Sequence, residues 1–168
     1  MDSSLERIRS SDFDIDTFRR VMSHFCTGVV IVAACDDDGP IGFTCQSFTS
    51  LSTDPPLILL CPSKSSTSWP RIRAAGTFCV NVLNEDQAEL STQFAKSGGP
   101  KFDGIEWTPG VSGAPRLTGA VAHIDCQLHE LHDGGDHEIV VGRVLALDHM
   151  EEHHPLLYFR SRYAMVHR

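Results

Sequence analysis

The sequence lacks several features that would assign its class at once. None of its apolar runs approaches the roughly 20 residues that a membrane-spanning helix needs. Its first ten residues hold no apolar stretch of the kind found in secretory signal peptides, so we expect a cytoplasmic protein with no membrane contact. Only three lysines occur in 168 residues and the net charge is −8, which argues against a nucleic-acid-binding protein.

Familiar catalytic and metal-binding motifs are also missing. There is no GxGxxG, Walker loop, GxSxG, HExxH or paired CxxC motif. The six cysteines are well separated, and most lie in or beside apolar runs. We therefore predict small buried thiols rather than disulfides or metal ligands. A metal protein built on the nine histidines is kept as an alternative, although we expect no metal site.

The length and the ordinary composition are typical of one globular domain. The polar residues 1–12 are predicted to form a flexible segment, and residues 13–168 a single domain. An amphipathic helix is predicted near its start, because apolar residues recur there at steps of three and four. These residues are Ile15, Phe18, Val21, Met22 and Phe25. Asp14 or Asp16 is the expected N-cap.

Strand signals dominate the rest of the chain. A turn at 36–40 predicts a hairpin of residues 28–35 and 41–48. Further strands are predicted at 57–61, 77–83, 116–131, 137–147 and 156–160. Short helices are predicted at 69–75 and at 84–95, the second capped by Asn84 and Gln87, with a long loop at 96–115. This order favours a mainly β protein with short helices, an antiparallel barrel rather than a doubly wound parallel sheet.

Two polar segments are candidates for a ligand site. A run of small hydroxyl residues spans 44–53 and suits either a polar planar ligand or a solvated loop. Lys64 lies among serines just before a predicted helix. That arrangement could cradle a phosphate, or it could form a surface turn with an exposed lysine.

The histidines suggest a further contact. The segment 132–137, HDGGDH, fits a hairpin turn better than a zinc site. We expect His137 to begin a strand at the barrel rim and to face a ligand. His123, Asp125, Gln127 and His129 share one strand face, which would look into a dimer interface, a ligand site or water. Residues 149–154 are predicted to form a solvated loop.

Five stretches together resemble the short-chain flavin reductases, an FMN-binding split-barrel family. They are FRRVMSHFCTGVVIV, GFTCQSFTSLSTDPPLILLCPSKSS, FCVNVL, GGDHEIVVGRV and PLLYFRSRY, which lie between residues 17 and 163. The resemblance implies an antiparallel split β-barrel that forms a homodimer, with flavin near the subunit interface. It implies an NAD(P)H-dependent enzyme that transfers hydride from NADH or NADPH to FMN or FAD. The reduced flavin would supply a partner monooxygenase that hydroxylates an aromatic or polycyclic substrate.

The resemblance also implies roles for individual residues. The isoalloxazine would be lined by Thr44, Cys45, Gln46, Ser47 and Phe48, and the ribityl–phosphate arm by Ser50 and Ser52. The opposing wall and phosphate contacts would come from Cys61, Pro62, Ser63, Lys64 and Ser66. His137, with the turn residues Gly134, Gly135 and Asp136, would sit where nicotinamide stacks on the flavin. The pair Cys45-Gln46 departs from the family pattern of a small residue followed by asparagine.

Two other functions are compatible with the same fold. One is a flavin-carrying or flavin-sensing module without turnover, and the other is oxidation of pyridoxamine phosphate. Consumption of NADH on addition of free flavin would separate the reductase from the first alternative. No residue pattern in the sequence points to the second.

Overall fold

The computed structural model describes residues 14–151 and 153–166, so the predicted flexible segment 1–12 lies outside the described residues. The helices are α1 (Ile15–Met22), α2 (Trp69–Ala75) and α3 (Ala88–Ala95). The strands are β1 (Thr27–Gly28), β2 (Val30–Asp36), β3 (Gly39–Cys45), β4 (Thr49–Thr53), β5 (Pro56–Leu60), β6 (Thr77–Val82), β7 (Trp107–Pro109), β8 (Pro115–Leu117), β9 (Ala122–Gly134), β10 (His137–His149), β11 (Leu157–Phe159) and β12 (Arg162–Ala164). None of the helices in these described ranges is long and apolar enough to cross a membrane.

The main sheet has seven strands in the order β3-β2-β6-β9-β10-β5-β4, and every neighbouring pair is antiparallel. This confirms the predicted mainly β, antiparallel architecture. β3 and β4 follow one another in the chain yet lie at opposite edges of the sheet. The short connector between them, residues 46–48, therefore joins the two edge strands of the sheet.

The core is divided by β2, which is buried on both faces. Its β-branched run favours an extended strand. Val30, Val32 and Ala34 belong to one apolar cluster, and Ile31 and Ala33 belong to a second. Strand β2 therefore fixes the main sheet between two packed layers, and both of its edges are paired, to β3 and to β6.

Several local predictions match the structure. Asp14 caps α1 by accepting the Thr17 N–H at 2.8 Å. The turn of the β2–β3 hairpin falls at Asp37 and Asp38. Gly76 ends α2 in the left-handed conformation, with φ of 72°, which glycine adopts without a Cβ clash.

Several elements differ from the sequence predictions, among them the strand predicted at 116–131, which is divided into β8 and β9. The hydroxyl-rich residues 49–53 form strand β4, because their backbone pairs with β5. Their side chains lack the apolar alternation that would have predicted a strand. α3 starts at Ala88, not at 84, because Asn84 accepts the Asp86 N–H at 2.8 Å and closes a separate turn. Beyond β11, the unpredicted strand β12 pairs with β11. Because β11 also pairs with β1, the three strands form a separate sheet.

The predicted long loop 96–115 contains β7 and covers part of the polar face of β9. The Ser112 hydroxyl donates to the carboxylate of Asp125, whose residue is only 4% exposed. A Cβ at Gly110 would lie 2.1 Å from that carboxylate, so only glycine fits there. The first half of this face is therefore covered by the protein's own chain, whereas Gln127 is exposed.

All six cysteines are free thiols, as predicted. Cys45, Cys79 and Cys126 are buried, and Cys35 and Cys61 are partly buried. Burial raises the pKa of Cys79 and of Cys126 to about 12. The sixth, Cys26, is exposed, so the prediction of burial is wrong there; this residue lies between α1 and β1, outside the packed sheet.

Candidate functional site

A cleft of about 440 Å³ opens where β3 leads into the connector to β4. This volume lies in the range of sites for small molecules and cofactors, roughly 300–1,000 Å³. The lining residues are Phe43, Thr44, Cys45, Gln46, Ser47, Cys61, Pro62, Ser63, Ser65, Ser66, Thr67, Phe94, Ala95, Lys96, Ser97, Lys101 and His137. Four separate parts of the chain, residues 43–47, 61–67, 94–101 and His137, therefore form its three walls.

The first wall is the end of β3 with the connector. The Thr44 hydroxyl donates to the Ser91 carbonyl at 2.6 Å, which joins this wall to α3. The Ser47 hydroxyl accepts the Cys61 N–H at 2.9 Å and donates to the Cys61 carbonyl at 3.0 Å. A single hydroxyl thus ties the connector to the opposite wall and holds the width of the cleft.

The Cys45 thiol lies behind this wall. Its Sγ is 3.2 Å from the Ser47 Oγ, and because the Ser47 proton goes to Cys61, the thiol is the donor. Burial raises the pKa of Cys45 above its usual range. Cys45 therefore stays a neutral thiol and packs as a small apolar group, not as a nucleophile.

The second wall is the loop after β5, held by the tip of the β9–β10 hairpin. The Glu138 N–H donates to the Pro62 carbonyl at 3.0 Å, and the Lys64 N–H donates to the Asp136 carbonyl at 2.9 Å. Ser63 and His137 are paired across this junction. The hairpin tip is thereby fixed against the loop.

His137 begins β10, as the sequence predicts, and lines the cleft. Its Nδ1 is 2.7 Å from the Asp136 carboxylate, and this hydrogen bond lowers the pKa of Asp136. An Nδ1–H donated to Asp136 leaves Nε2 as the ring nitrogen available to a ligand. The His137 side chain is 43% exposed, so a ligand can reach it.

The third wall comes from the end of α3 and the residues after it, including Lys96 and Lys101. Lys101 Nζ donates to the carbonyls of Phe94 at 3.0 Å and Gly42 at 3.1 Å, and to Ser68 Oγ at 3.2 Å. Burial lowers the pKa of Lys101. No motif in the sequence predicted this wall. The scarcity of lysine was the one available signal, since two of the three lysines line the cleft.

The structure brings together nine of the residues expected from the family resemblance. Thr44, Cys45, Gln46, Ser47, Cys61, Pro62, Ser63, Ser66 and His137 all line the cleft. It does not bring Phe48, Ser50, Ser52, Lys64, Gly134, Gly135 and Asp136 to the lining. Phe48 packs against the core, and Ser50 and Ser52 lie in β4.

Lys64 points elsewhere because a carboxylate competes for it. Its ammonium forms an ion pair with Asp133 on the β9–β10 hairpin, and this pairing lowers the pKa of Asp133. The Lys64 main chain still supports the second wall through its bond to Asp136. Lys96 and Lys101, on the third wall, are therefore the two lysines that line the cleft.

The composition of the lining fits a flat polar ligand that carries a phosphate. Five hydroxyl side chains from Ser63, Ser65, Ser66, Thr67 and Ser97 offer hydrogen bonds. Two lysines line the cleft, and none of its lining residues is acidic. Phe43 and Phe94 supply apolar surface. A flavin ring with its phosphate arm has the matching chemistry.

Comparison with known proteins points the same way. The family model described as flavin reductase like domain matches residues 22–167. The chain is 48% identical over 159 residues to the reductase subunit HsaB of a flavin-dependent monooxygenase from Rhodococcus jostii (strain RHA1), covering 95% of this chain and 82% of that protein. It is 42% identical over 135 residues to the FMN reductase (NADH) SmoA of Agrobacterium fabrum (strain C58 / ATCC 33970), covering 80% of this chain and 77% of SmoA.

A solved structure shows the same similarity in three dimensions. The NADH:FAD oxidoreductase SgcE6 of Streptomyces globisporus C-1027, in complex with NAD and FAD fragments, matches with a TM-score of 0.88 and 37% identity. The match covers 95% of each chain.

Proposed function

This chain belongs to the flavin reductase like family, and we propose that the cleft between its first and second walls is where it reduces flavin. The enzyme is an NADH-dependent flavin reductase, acting on FMN or FAD, of the kind that supplies reduced flavin to a monooxygenase. The observation that carries the site is the cleft itself, since its hydroxyls, lysines and histidine meet where β3 leads into the connector to β4.

A flavin bound here would supply the hydride acceptor, and reduced nicotinamide the hydride. The residues of the chain hold the two rings in place, because hydride transfer needs close and parallel contact. Thr44–Ser47 would line one edge of the flavin ring, and Cys61, Pro62, Ser63 and Ser66 the other. The Ser47 bonds to Cys61 keep the two edges at a fixed separation.

Hydride transfer needs no activated nucleophile, and the residues that line the cleft include none. The Cys45 and Cys61 thiols both have pKa values raised by burial. Backbone N–H groups of Thr44–Ser47 are proposed to stabilise the electron-rich reduced ring, since preorganised donors act most strongly where negative charge develops. Turnover then depends on binding and orientation rather than on covalent chemistry.

His137 is proposed to position the nicotinamide, or to accompany the charge that the reaction moves. Its ring lies at the rim, anchored on one side by Asp136. The turn of Gly134, Gly135 and Asp136 is proposed to hold the hairpin tip instead of touching the ligand, since the Asp136 carbonyl accepts the Lys64 N–H.

The chain is further proposed to act as a homodimer with a monooxygenase as its partner. Ile15, Val21, Met22 and Phe25, on and just beyond α1, have exposed fractions of 53–73%. An apolar face of this kind suits a second copy of the chain. The Rhodococcus relative, a reductase subunit of a monooxygenase, supports the partner. That this partner hydroxylates an aromatic or polycyclic substrate stays a prediction of the family resemblance.

A cytoplasmic location is proposed on different grounds. All six cysteines are free thiols. Free thiols persist in the reducing cytoplasm, whereas exported proteins tend to pair them.

Anaerobic titration with NADH, in the presence of FMN or FAD separately, tests the function. Catalytic bleaching of the flavin with matching loss of NADH is expected. Flavin binding without NADH consumption would instead favour a carrier module. If neither binding nor bleaching occurs with either flavin, the proposal is wrong.

The role of His137 is tested in the same assay. His137→Ala should raise the KM for NADH or lower the rate of flavin reduction. His149→Ala is the matched control, because His149 lies at the far end of β10, with its side chain 69% exposed. Unchanged kinetics in His137→Ala would contradict the assignment.

A further inference from the structure

A second cavity of about 600 Å³ lies beside the flavin cleft. Its walls come from the start of β3, the residues around the start of α2, and the loop 98–103. Thr67 and Lys101 line both cavities, so the two are adjacent. The flavin cleft alone already has a volume in the range of cofactor sites, so this cavity is additional to it.

Lys101 stands at the junction as an ammonium with only neutral partners. Its three hydrogen bonds go to two carbonyls and one hydroxyl, at 3.0–3.2 Å. Within residues 14–151 and 153–166 it forms no ion pair with a carboxylate, whereas Lys64 does. A partly buried cation without a counter-charge is costly, and an anionic ligand at the junction would offset that cost.

The rest of the second cavity combines charge with flat apolar surface. Arg71 lines it and gives two of its five N–H donors to Asp36, at 2.6 and 2.7 Å. Pro40, Pro100 and Phe102 provide apolar walls of the kind on which a planar base can lie. Asp103 adds one acidic group to the lining. A ligand with its phosphates near Lys101 and its nucleoside against the apolar walls would match this arrangement.

We propose that the second cavity binds the adenosine diphosphate half of a dinucleotide, with its phosphates beside Lys101 at the junction. This inference rests on the proposed function, because the second cavity would hold another part of the same substrates that the flavin cleft binds. Two dinucleotides in the reaction contain that half, FAD and NADH. The cavity thus determines whether the enzyme prefers a dinucleotide to the corresponding mononucleotide.

The experiment compares each dinucleotide with its mononucleotide in steady-state reduction. KM values are measured for FAD and FMN with NADH held constant, and for NADH and reduced nicotinamide mononucleotide with FMN held constant. Asp103→Lys is the principal variant, because Asp103 is exposed and its main chain, not its carboxylate, makes the local bonds to Pro100 and Gln93. Glu151→Lys is the matched control, with its side chain 89% exposed and outside both cavities.

Asp103→Lys is expected to lower the KM of one dinucleotide about threefold relative to the KM of its mononucleotide. The reason is that the Asp103 carboxylate repels the phosphates of the ligand, whereas a lysine attracts them. Lys101→Met should raise the same ratio about tenfold, and Lys101→Arg should restore most of it. Lys64→Met, which removes a lysine already paired with Asp133, should change the ratio less than Lys101→Met does. A shift confined to the FAD/FMN ratio assigns the cavity to FAD, and a shift confined to the nicotinamide pair assigns it to NADH.

The outcomes separate this inference from the proposed function. If wild-type enzyme reduces FMN with NADH but Asp103→Lys leaves both ratios within twofold, the second cavity does not bind the adenosine diphosphate half. Equal changes for the mononucleotides and dinucleotides in Asp103→Lys would overturn it as well, because Asp103 lines only the second cavity. Only the absence of any flavin reduction by the wild-type enzyme would count against the reductase function itself.

Discussion

Helices α1 and α3 have the same length, eight residues, and opposite surroundings. α3 buries Ser91 and Phe94 completely, and Phe94 packs in the second core cluster. None of the α1 residues is buried, although its apolar stripe is the clearer of the two in sequence. Amphipathic spacing therefore indicates that a face will be covered, but not which chain covers it.

The two helices also differ in their connection to the flavin cleft. α3 accepts the Thr44 hydroxyl at the Ser91 carbonyl and the Lys101 ammonium at the Phe94 carbonyl. The residues just after α1 are linked to the strand end after β11 through polar contacts, with Arg160 N–H donating to the Ser23 carbonyl at 2.8 Å. α3 is thus part of the site scaffold, whereas α1 presents an apolar surface away from the core.

The largest expected effect comes from truncating the buried ring of α3. Phe94→Ala should cost about 3–5 kcal/mol of unfolding free energy, because it removes buried apolar surface and leaves a cavity. The ring lies against Gly42, where a Cβ would be only 2.9 Å from it, so that backbone would lose its support. Denaturant unfolding in dilute solution measures the loss.

Phe25→Ala is the matched truncation beside α1, since Phe25 is 73% exposed. In dilute solution we expect it to cost at most about 0.5 kcal/mol, as is typical of exposed sites. Losses of similar size in the two variants would contradict the contrast between the helices.

The next effect concerns self-association through α1. Changing Val21 to Asp together with Met22 to Lys keeps the net charge while placing charges on the exposed apolar face. In a symmetric dimer each change counts twice, so the dissociation constant should rise by at least about a hundredfold. Sedimentation equilibrium measures this constant directly.

The control carries Arg20→Glu with Asp16→Arg, which exchanges charges within α1 and leaves its apolar residues in place. It should associate as the wild type does. A wild-type chain that sediments as a monomer at high concentration would remove the dimer from the proposal.

The smallest effect is the pH response of the α1 N-cap. The Thr17 N–H lowers the pKa of Asp14 below its usual 3.8. Because the folded pKa is depressed, this cap stabilises the helix above pH 3.8 and is lost as the pH falls through the lower, folded value. The carboxyl carbon shift of Asp14, followed by NMR, should titrate below 3.8.

Asp14→Asn provides the comparison, because asparagine also caps helices but does not titrate in this range. Its Thr17 amide should show no pH dependence there. A midpoint for Asp14 at or above 3.8 would show that the cap is not formed in solution.

Predictions from sequence succeeded where the cause was local. The Asp37–Asp38 turn, the Asp14 cap and the Gly76 stop each depend on a few neighbouring residues and their backbone preferences. They failed where a distant partner supplied the order. β4 is a strand because β5 pairs with it, and the hydroxyl side chains of residues 49–53 gave no apolar alternation to reveal this.

The site shows the same division between two lysines. Lys64 lies in a motif typical of phosphate binding, yet its ammonium forms an ion pair with Asp133 on a hairpin distant in sequence. Lys101 lies in a glycine- and proline-rich segment without a motif, yet it reaches the junction of both cavities. The spacing of residues along the chain cannot predict the ion pair of Lys64 or the position of Lys101, because both depend on residues far apart in sequence.

By itself, the sequence determined most of the strands and turns, the family and nine of the residues that line the cleft. These depend on short-range backbone preferences and on motifs whose residues are close in the chain. Only the tertiary structure decided that β3 and β4 lie at opposite edges of the sheet, that α3 closes the third wall and that Lys101 rather than Lys64 lines the cleft. The reason is that sheet order brings together segments separated by dozens of residues, and side-chain charges then pair with whichever partner that packing places nearest.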